Sequence, residues 1–181
     1  MGGTFDPVHN AHLAMARAAL GQLALDRVLW MPTGAPKYRQ PAIAPAADRV
    51  AMLRLALRDE DRFGIDEREL SPQASGYTVD TLRALRRELG EAAELHLLLG
   101  GDQYAAFGTW REPQEVARLA TLAVVPRPGF PLEGNRVKAL TLPPLAISAS
   151  DIRARAARGE SLAGLVPDPV ANYIHSHRLY R

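Results

Sequence analysis

Three short, nearly continuous apolar runs constrain the fold of this chain most: Val28 to Met31, Leu95 to Leu99 (broken by His96), and Leu122 to Val125. Runs of that length without alternation read as strands buried on both faces, as in a parallel sheet. Between them lie stretches of helical spacing: Leu13, Ala16, Leu20 and Leu23, then Val50, Leu53 and Leu57, then Leu82, Leu85 and Leu89. Each places one apolar stripe on a helix. Buried strands alternating with amphipathic helices predict an α/β fold, a doubly wound, mainly parallel sheet with helices on both faces. The carboxyl end reads as helical, from Ser150 to Arg158 and from Pro169 to His177, with Gly159 stopping the first of these helices and the pair closing over the sheet's edge.

The chain has 181 residues, 47% apolar and 23% charged, which suits one compact soluble domain. We expect a single domain over 1–181, with a core over 1–146 and a carboxyl-terminal segment over 147–181. Lys plus Arg number 22 against 20 Asp plus Glu, a balance too even to imply a nucleic-acid partner. The basic loop Lys37 to Arg39 and the Arg83, Arg86, Arg87 cluster raise that reading locally. The cluster falls on the polar side of the Leu82, Leu85, Leu89 helix, so a solvated face explains it. Cysteine is absent, which excludes disulfides and thiolate catalysis and points to a reducing, cytoplasmic setting. The sequence has neither an apolar run of membrane-spanning length nor a basic-then-apolar leader, so no membrane partner is expected. A homo-oligomer stays open.

Two loops follow predicted strands. The stretch from Pro32 to Pro45 holds four prolines and a glycine, and Arg127 to Gly134 holds Pro128, Gly129 and Pro131. In open α/β sheets ligands bind beyond the carboxyl ends of strands, so both loops are expected site walls.

Chemistry concentrates in two segments. Gly2-Gly3-Thr4-Phe5-Asp6-Pro7-Val8-His9-Asn10-Ala11-His12 brings glycines, which allow close backbone approach, to a helix start carrying His9 and His12. Backbone N–H groups and two imidazoles there suit phosphates and the charge that grows as pyrophosphate leaves. A metal pair or a plain surface turn are the other readings of the same residues. The second segment, Ile147-Ser148-Ala149-Ser150-Asp151-Ile152-Arg153, is also a helix start, with Ser148 and Asp151 forming a capping-box variant. Serine hydroxyls and the Arg153 guanidinium make a second anion cradle, although a capped helix with a solvated arginine is the commoner explanation for such a heptapeptide. One triphosphate could span both cradles. Phosphoryl-type transfer asks for positioning and charge stabilisation, which such residues supply without a protein nucleophile.

Both segments, in this order, resemble the nucleotidylyltransferases, with their His-x-Gly-His signature and an Ile-Ser-Ser/Thr-type motif. The chain is most similar to bacterial nicotinate-nucleotide adenylyltransferases. Gly2 to Pro7, Asp66-Glu67-Arg68-Glu69, Ser75-Gly76-Tyr77-Thr78, Gly100-Gly101-Asp102, Thr109-Trp110 and Arg127-Pro128-Gly129 all look like segments of that family, as does the end from Leu165 to Arg181. The resemblance implies a Rossmann-like sheet of order 3-2-1-4-5 and adenylyl transfer from ATP to nicotinate mononucleotide, giving deamido-NAD and pyrophosphate. It implies that Gly3, Thr4, Phe5, His9 and His12 bind the ATP phosphates, with Ile147, Ser148, Ser150 and Arg153 completing the cradle; His9, His12 and Arg153 are the catalytic candidates. Magnesium is expected with ATP, and no dedicated protein metal cage. Asp102 is expected at ribose or hydrated metal, or else as a helix cap. Tyr77, Thr78 and Trp110 are expected at the pyridine carboxylate, with Thr78 capping a helix and Trp110 stacking on the ring. Acceptors left open are the amide mononucleotide and phosphopantetheine, besides a non-catalytic nucleotide-binding module.

Three features depart from the family pattern. Ala11 stands between the histidines where the family has glycine. Lys37-Tyr38-Arg39 stands where it often has Pro-Pro-His, so Lys37, Arg39 and Arg127 are the phosphate contacts expected from the loops. Met1 directly precedes Gly2, where a central first strand should run, so that strand is expected to be truncated and the natural protein to start upstream.

Overall fold

The computed structural model describes residues 1–34, 41–126, 129 and 137–181. The strands are β1 (Gly2–Gly3), β2 (Val28–Pro32), β3 (Phe63–Ile65), β4 (His96–Gly100), β5 (Thr121–Val125) and β6 (Val137–Ala139). The helices are α1 (Asn10–Gln22), α2 (Ala46–Ala56), α3 (Thr78–Leu89), α4 (Gly101–Ala105), α5 (Pro113–Leu119), α6 (Ala149–Ala157) and α7 (Asp168–Ser176). Every strand pair is parallel. The three apolar runs become β2, β4 and β5. The short strands β3 and β6 escape sequence reading because three residues carry too little pattern to show a period.

Strand order is β1-β2-β3 in one half and β4-β5-β6 in the other. Each half follows the expected order. Among the described residues β1 pairs with Met31 and Pro32 of β2, and no ladder joins it to β4. β4 and β5 run in register over five pairs, from His96 with Thr121 to Gly100 with Val125.

Successive side chains of a strand face opposite sides, and this alternation builds the layers. Trp30, wholly buried on β2, joins a cluster with Leu13 and Leu20 of α1, Leu53 of α2 and Ile152 of α6. Its neighbour Met31 joins Val79, Leu82 and Leu85 of α3, Leu97 and Leu99 of β4, and Val116 of α5 on the other side. Leu98 points away from Leu97 and Leu99, to Ala19, Ala123 and Leu140. Each large apolar side chain so buried contributes about 1.5–3 kcal/mol.

Two sequence expectations change. Leu89 does not complete the α3 stripe: it is 53% exposed, since it is the last helical residue and Gly90 turns the chain away at φ 80°. The carboxyl-terminal helices pack on the Trp30 side, in a cluster that includes Phe63 and Ile65 of β3. Val170 and Ile174 of α7 join the Trp30-side cluster, and Tyr173 Oη donates to Asp48 of α2 at 2.8 Å. Arg86 is not simply solvated, for it donates to the carbonyls of Ala93 at 2.6 Å and Leu119 at 2.8 Å. Its neighbour Arg83 pairs with Glu112 at the start of α5. The stop at Gly159 is as expected, with φ 71°. Among the described residues no helix is long and apolar enough to cross a membrane.

Candidate active site

The carboxyl ends of the strands open on a continuous cavity of about 2550 Å³. Ligand pockets run to roughly 300–1,000 Å³. This one is larger because it continues from the strand ends into the trench between Leu29 and Met31 of β2 and Leu97 and Leu99 of β4. Thr33, Gly34 and Ile43 wall it from the first expected loop, and Pro126 just ahead of the second, which apart from Gly129 lies outside the described residues.

The helix start at His9 and His12 is where the sequence places it. His9 is the N-cap residue of α1, extended at φ −148°, and is almost fully buried. The His9 N–H donates to Nδ1 of His12 at 3.3 Å, so a neutral His12 ring carries its proton on Nε2. The two imidazoles stack with centroids 3.6 Å apart and planes 18° apart, and Phe5 meets His12 edge-on at 5.2 Å. Phe5 itself is buried in the left-handed region at φ 48°, a conformation that persists only where the surroundings impose it. Gly3 matters for the same packing: a Cβ there would lie 3.0 Å from the Phe5 ring.

The helix start at Ser148 is also present. Ser148 is the N-cap residue of α6, and its Oγ accepts from the Asp151 N–H at 3.2 Å. Arg153 Nη1 donates to the Asp6 carbonyl at 2.7 Å, which uses one of the guanidinium's five N–H groups and ties the start of α6 to the glycine loop. Gly3, Thr4, Phe5, His9 and His12 line the cavity on one side, and Ile147, Ser148 and Arg153 line it from α6. Ser150 does not. It is exposed, the second residue of α6, and its hydroxyl lies 3.1 Å from that of Ser148.

The far wall carries Tyr77, Thr78, Asp102 and Trp110. Thr78 does not cap α3. Tyr77 occupies the N-cap position with no side-chain cap bond, and Thr78 is the first helical residue, so the start of α3 keeps its backbone dipole uncompensated by a capping oxygen. Arg111 lies 4.5 Å over the Tyr77 ring, and Trp110 packs edge-on to Phe107 at 5.6 Å. Asp102 is not the N-cap of α4 either. Gly100 holds that place, and Asp102 lies in the first turn. Lys37, Arg39 and Arg127 lie outside the described residues. No group of three or more His, Cys, Asp or Glu residues is arranged to hold a metal among the described residues.

Sequence reading missed several residues that shape this site. Asp6, 5% exposed, accepts from the Ile43 and Ala44 N–H groups at 2.7 and 3.2 Å and from Tyr180 Oη at 2.8 Å. Arg49, 3% exposed, donates through Nη1 to the Thr4 carbonyl at 2.7 Å; burial lowers its pKa, and the Asp6 charge opposes that. Arg49 lies four residues before Leu53, on the apolar stripe of α2, and a charge on such a stripe was the available signal. Glu69 lines the cavity, accepts from Thr81 Oγ1 at 2.7 Å, and has its pKa raised, chiefly by burial. Arg111 on the wall had no signal beyond its place after Trp110.

Parallel strands whose carboxyl ends meet two helix starts around one cavity define an α/β fold of the kind that takes its ligand beyond the strand ends. The cytidylyltransferase-like family matches residues 1–155. The chain is 46% identical to a probable nicotinate-nucleotide adenylyltransferase of Laribacter hongkongensis, covering 99% of this chain and 92% of that protein. It is equally identical to one of Chromobacterium violaceum, covering 99% and 96%. Its fold is similar to that of the solved Plasmodium falciparum nicotinic acid mononucleotide adenylyltransferase complexed with NaAD, at a TM-score of 0.84, 17% identity, and coverage of 99% and 94%. The chain belongs to the nicotinate-nucleotide adenylyltransferases of the cytidylyltransferase-like family.

Proposed function

We propose that this enzyme transfers the adenylyl group of ATP to nicotinate mononucleotide. A phosphate oxygen of the mononucleotide attacks the α-phosphorus of ATP. The new P–O bond forms as the bond to the β-phosphate breaks, and pyrophosphate leaves with that electron pair. The observation that carries this reading is the Arg153 to Asp6 bond of 2.7 Å, which brings two helix starts to one cavity. Backbone N–H groups, His12 Nε2–H and the rest of the Arg153 fork then surround the triphosphate, and their donors stabilise the charge gathering on the leaving group. His9 holds the His12 tautomer through its N–H. Gly3, Thr4 and Phe5 follow the phosphates closely, with Ile147 and Ser148 opposite; Ser150 acts through Ser148. Lys37, Arg39 and Arg127 complete our assignment of phosphate contacts.

Magnesium accompanies ATP in this proposal. We assign Asp102, in the first turn of α4 on the cavity wall, to the hydrated ion or the ribose. Magnesium keeps waters and phosphate oxygens as ligands, so one carboxylate fits it. When bound it neutralises triphosphate charge.

The acid is favoured over the amide as acceptor because the uncapped start of α3 and the Arg111 guanidinium both attract a carboxylate. Trp110 offers its ring to the pyridine. The cysteine-free chain fits a reducing compartment, and the cytoplasm is the one we propose. Incubation with ATP, magnesium and nicotinate mononucleotide is expected to release pyrophosphate, and the amide mononucleotide and phosphopantetheine to react more slowly. A preference for either of these overturns the acceptor assignment, and release with none overturns the activity.

A further inference from the structure

We infer that Tyr180 is a positioning residue for the phosphate site, acting through Asp6 on the loop carbonyl that holds Arg153. The inference rests on the proposed adenylyl transfer and adds a residue to it. Asp6 is clamped from two sides. Its carboxylate is buried and takes three donors: the N–H groups of Ile43 and Ala44 and the phenol of Tyr180. Its backbone carbonyl takes the Arg153 guanidinium. The residue before it, Phe5, stands at φ 48°, so the loop relies on its neighbours to keep this path.

Ile43 and Ala44 anchor Asp6 to the segment that leads into α2, and Arg49 of α2 donates to the Thr4 carbonyl. Tyr180 is the donor that comes from the other end of the chain, 174 residues away in sequence. Burial and the Asp6 charge raise its pKa, so it remains a donor over the working pH range. A buried carboxylate that loses a donor must shift to find another or stay undersatisfied. Either way the Asp6 carbonyl moves, and the Arg153 fork moves with it. The pyridine end of the cavity, at Tyr77 and Arg111, has no part in this chain of bonds.

The test is Tyr180→Phe, which keeps the ring and removes the hydroxyl. We expect kcat to fall and the KM for ATP to rise, with kcat/KM for ATP lower by roughly ten-fold, as for one lost charge-assisted bond. The KM for nicotinate mononucleotide is expected to stay unchanged. In an Arg153→Ala background the same substitution should cost less than about two-fold, because partners in one network do not add. Tyr173→Phe, which removes the Asp48 bond on the neighbouring helix, serves as a comparison that lowers stability with unchanged kinetics. Wild-type kinetics in Y180F, equal effects on both substrates, or full additivity with Arg153→Ala each overturn the inference. Should Y180F not fold, Asp6→Asn, which keeps the shape and one acceptor oxygen, carries the same expectations. If the wild-type chain releases no pyrophosphate, the proposed function fails by itself. ATP affinity then decides: about ten-fold weaker binding by Y180F supports the role of Tyr180, and equal binding overturns it.

Discussion

The imidazoles of His9 and His12 lie face to face, 3.6 Å between centroids, while the His9 N–H donates to Nδ1 of His12. That bond assigns the His12 proton to Nε2, on the nitrogen able to donate to a phosphate oxygen. A donor aimed at charge that develops only as pyrophosphate departs acts on kcat more than on binding. His12→Ala is therefore expected to lower kcat by about 10²–10³-fold while the ATP dissociation constant changes far less. Single-turnover rates and ATP titration measure the two separately, and equal losses would make His12 a binding residue alone.

Arg153 combines a structural bond with a binding task. One N–H holds the Asp6 carbonyl at 2.7 Å, and the rest of the planar fork faces the phosphates in our proposal. Lysine retains the charge but cannot do both at fixed geometry. Arg153→Lys is expected to reduce kcat/KM for ATP by roughly 10–100-fold with little change in thermal midpoint. Steady-state kinetics beside a melting curve check this.

Arg111 sits 4.5 Å over Tyr77 at the start of α3. If it helps to hold the pyridine carboxylate, Arg111→Ala lowers kcat/KM for nicotinate mononucleotide by about ten-fold and leaves the amide mononucleotide nearly unaffected. The ratio of the two specificity constants is the readout. A parallel fall for both would remove Arg111 from acceptor choice.

Gly34 has a purely steric reason to be glycine. A Cβ there would lie 2.6 Å from the Glu69 carbonyl oxygen, to which the Gly34 N–H donates at 3.1 Å. Gly34→Ala must push backbone apart and is expected to cost about 1–3 kcal/mol, seen as a lower denaturant midpoint with the same slope.

Glu69 makes stability depend on pH. Burial raises its pKa in the folded state, so over that window the native chain binds more protons than the unfolded one. Its contribution is present below the unfolded carboxylate pKa of about 4.3 and is lost as the pH rises through the folded value. Glu69→Gln keeps an acceptor for Thr81 Oγ1 and is expected to remove that loss, so the variant gains on the wild type as the pH rises. Urea midpoints from pH 4 upward test this, and parallel curves would refute it.

Much of this protein was legible in residues close together along the chain. The apolar runs at Val28, Leu95 and Leu122, the stripes of α1 and α2, and the two helix starts at His9 and Ser148 depend on neighbours within about one turn or one strand. Those neighbours are printed side by side in the sequence. The same local logic erred where position within an element decides: Thr78 is one residue past the cap of α3, and Leu89 stands beyond the core. Tertiary structure alone decided which distant groups meet. Arg153 reaches Asp6 across 147 residues and Tyr180 reaches it across 174, and Gly34 is pressed against Glu69. No periodicity encodes such pairs, because they exist only once parallel strands and their helices have packed and a buried carboxylate has taken whatever donors the closed fold brings to it.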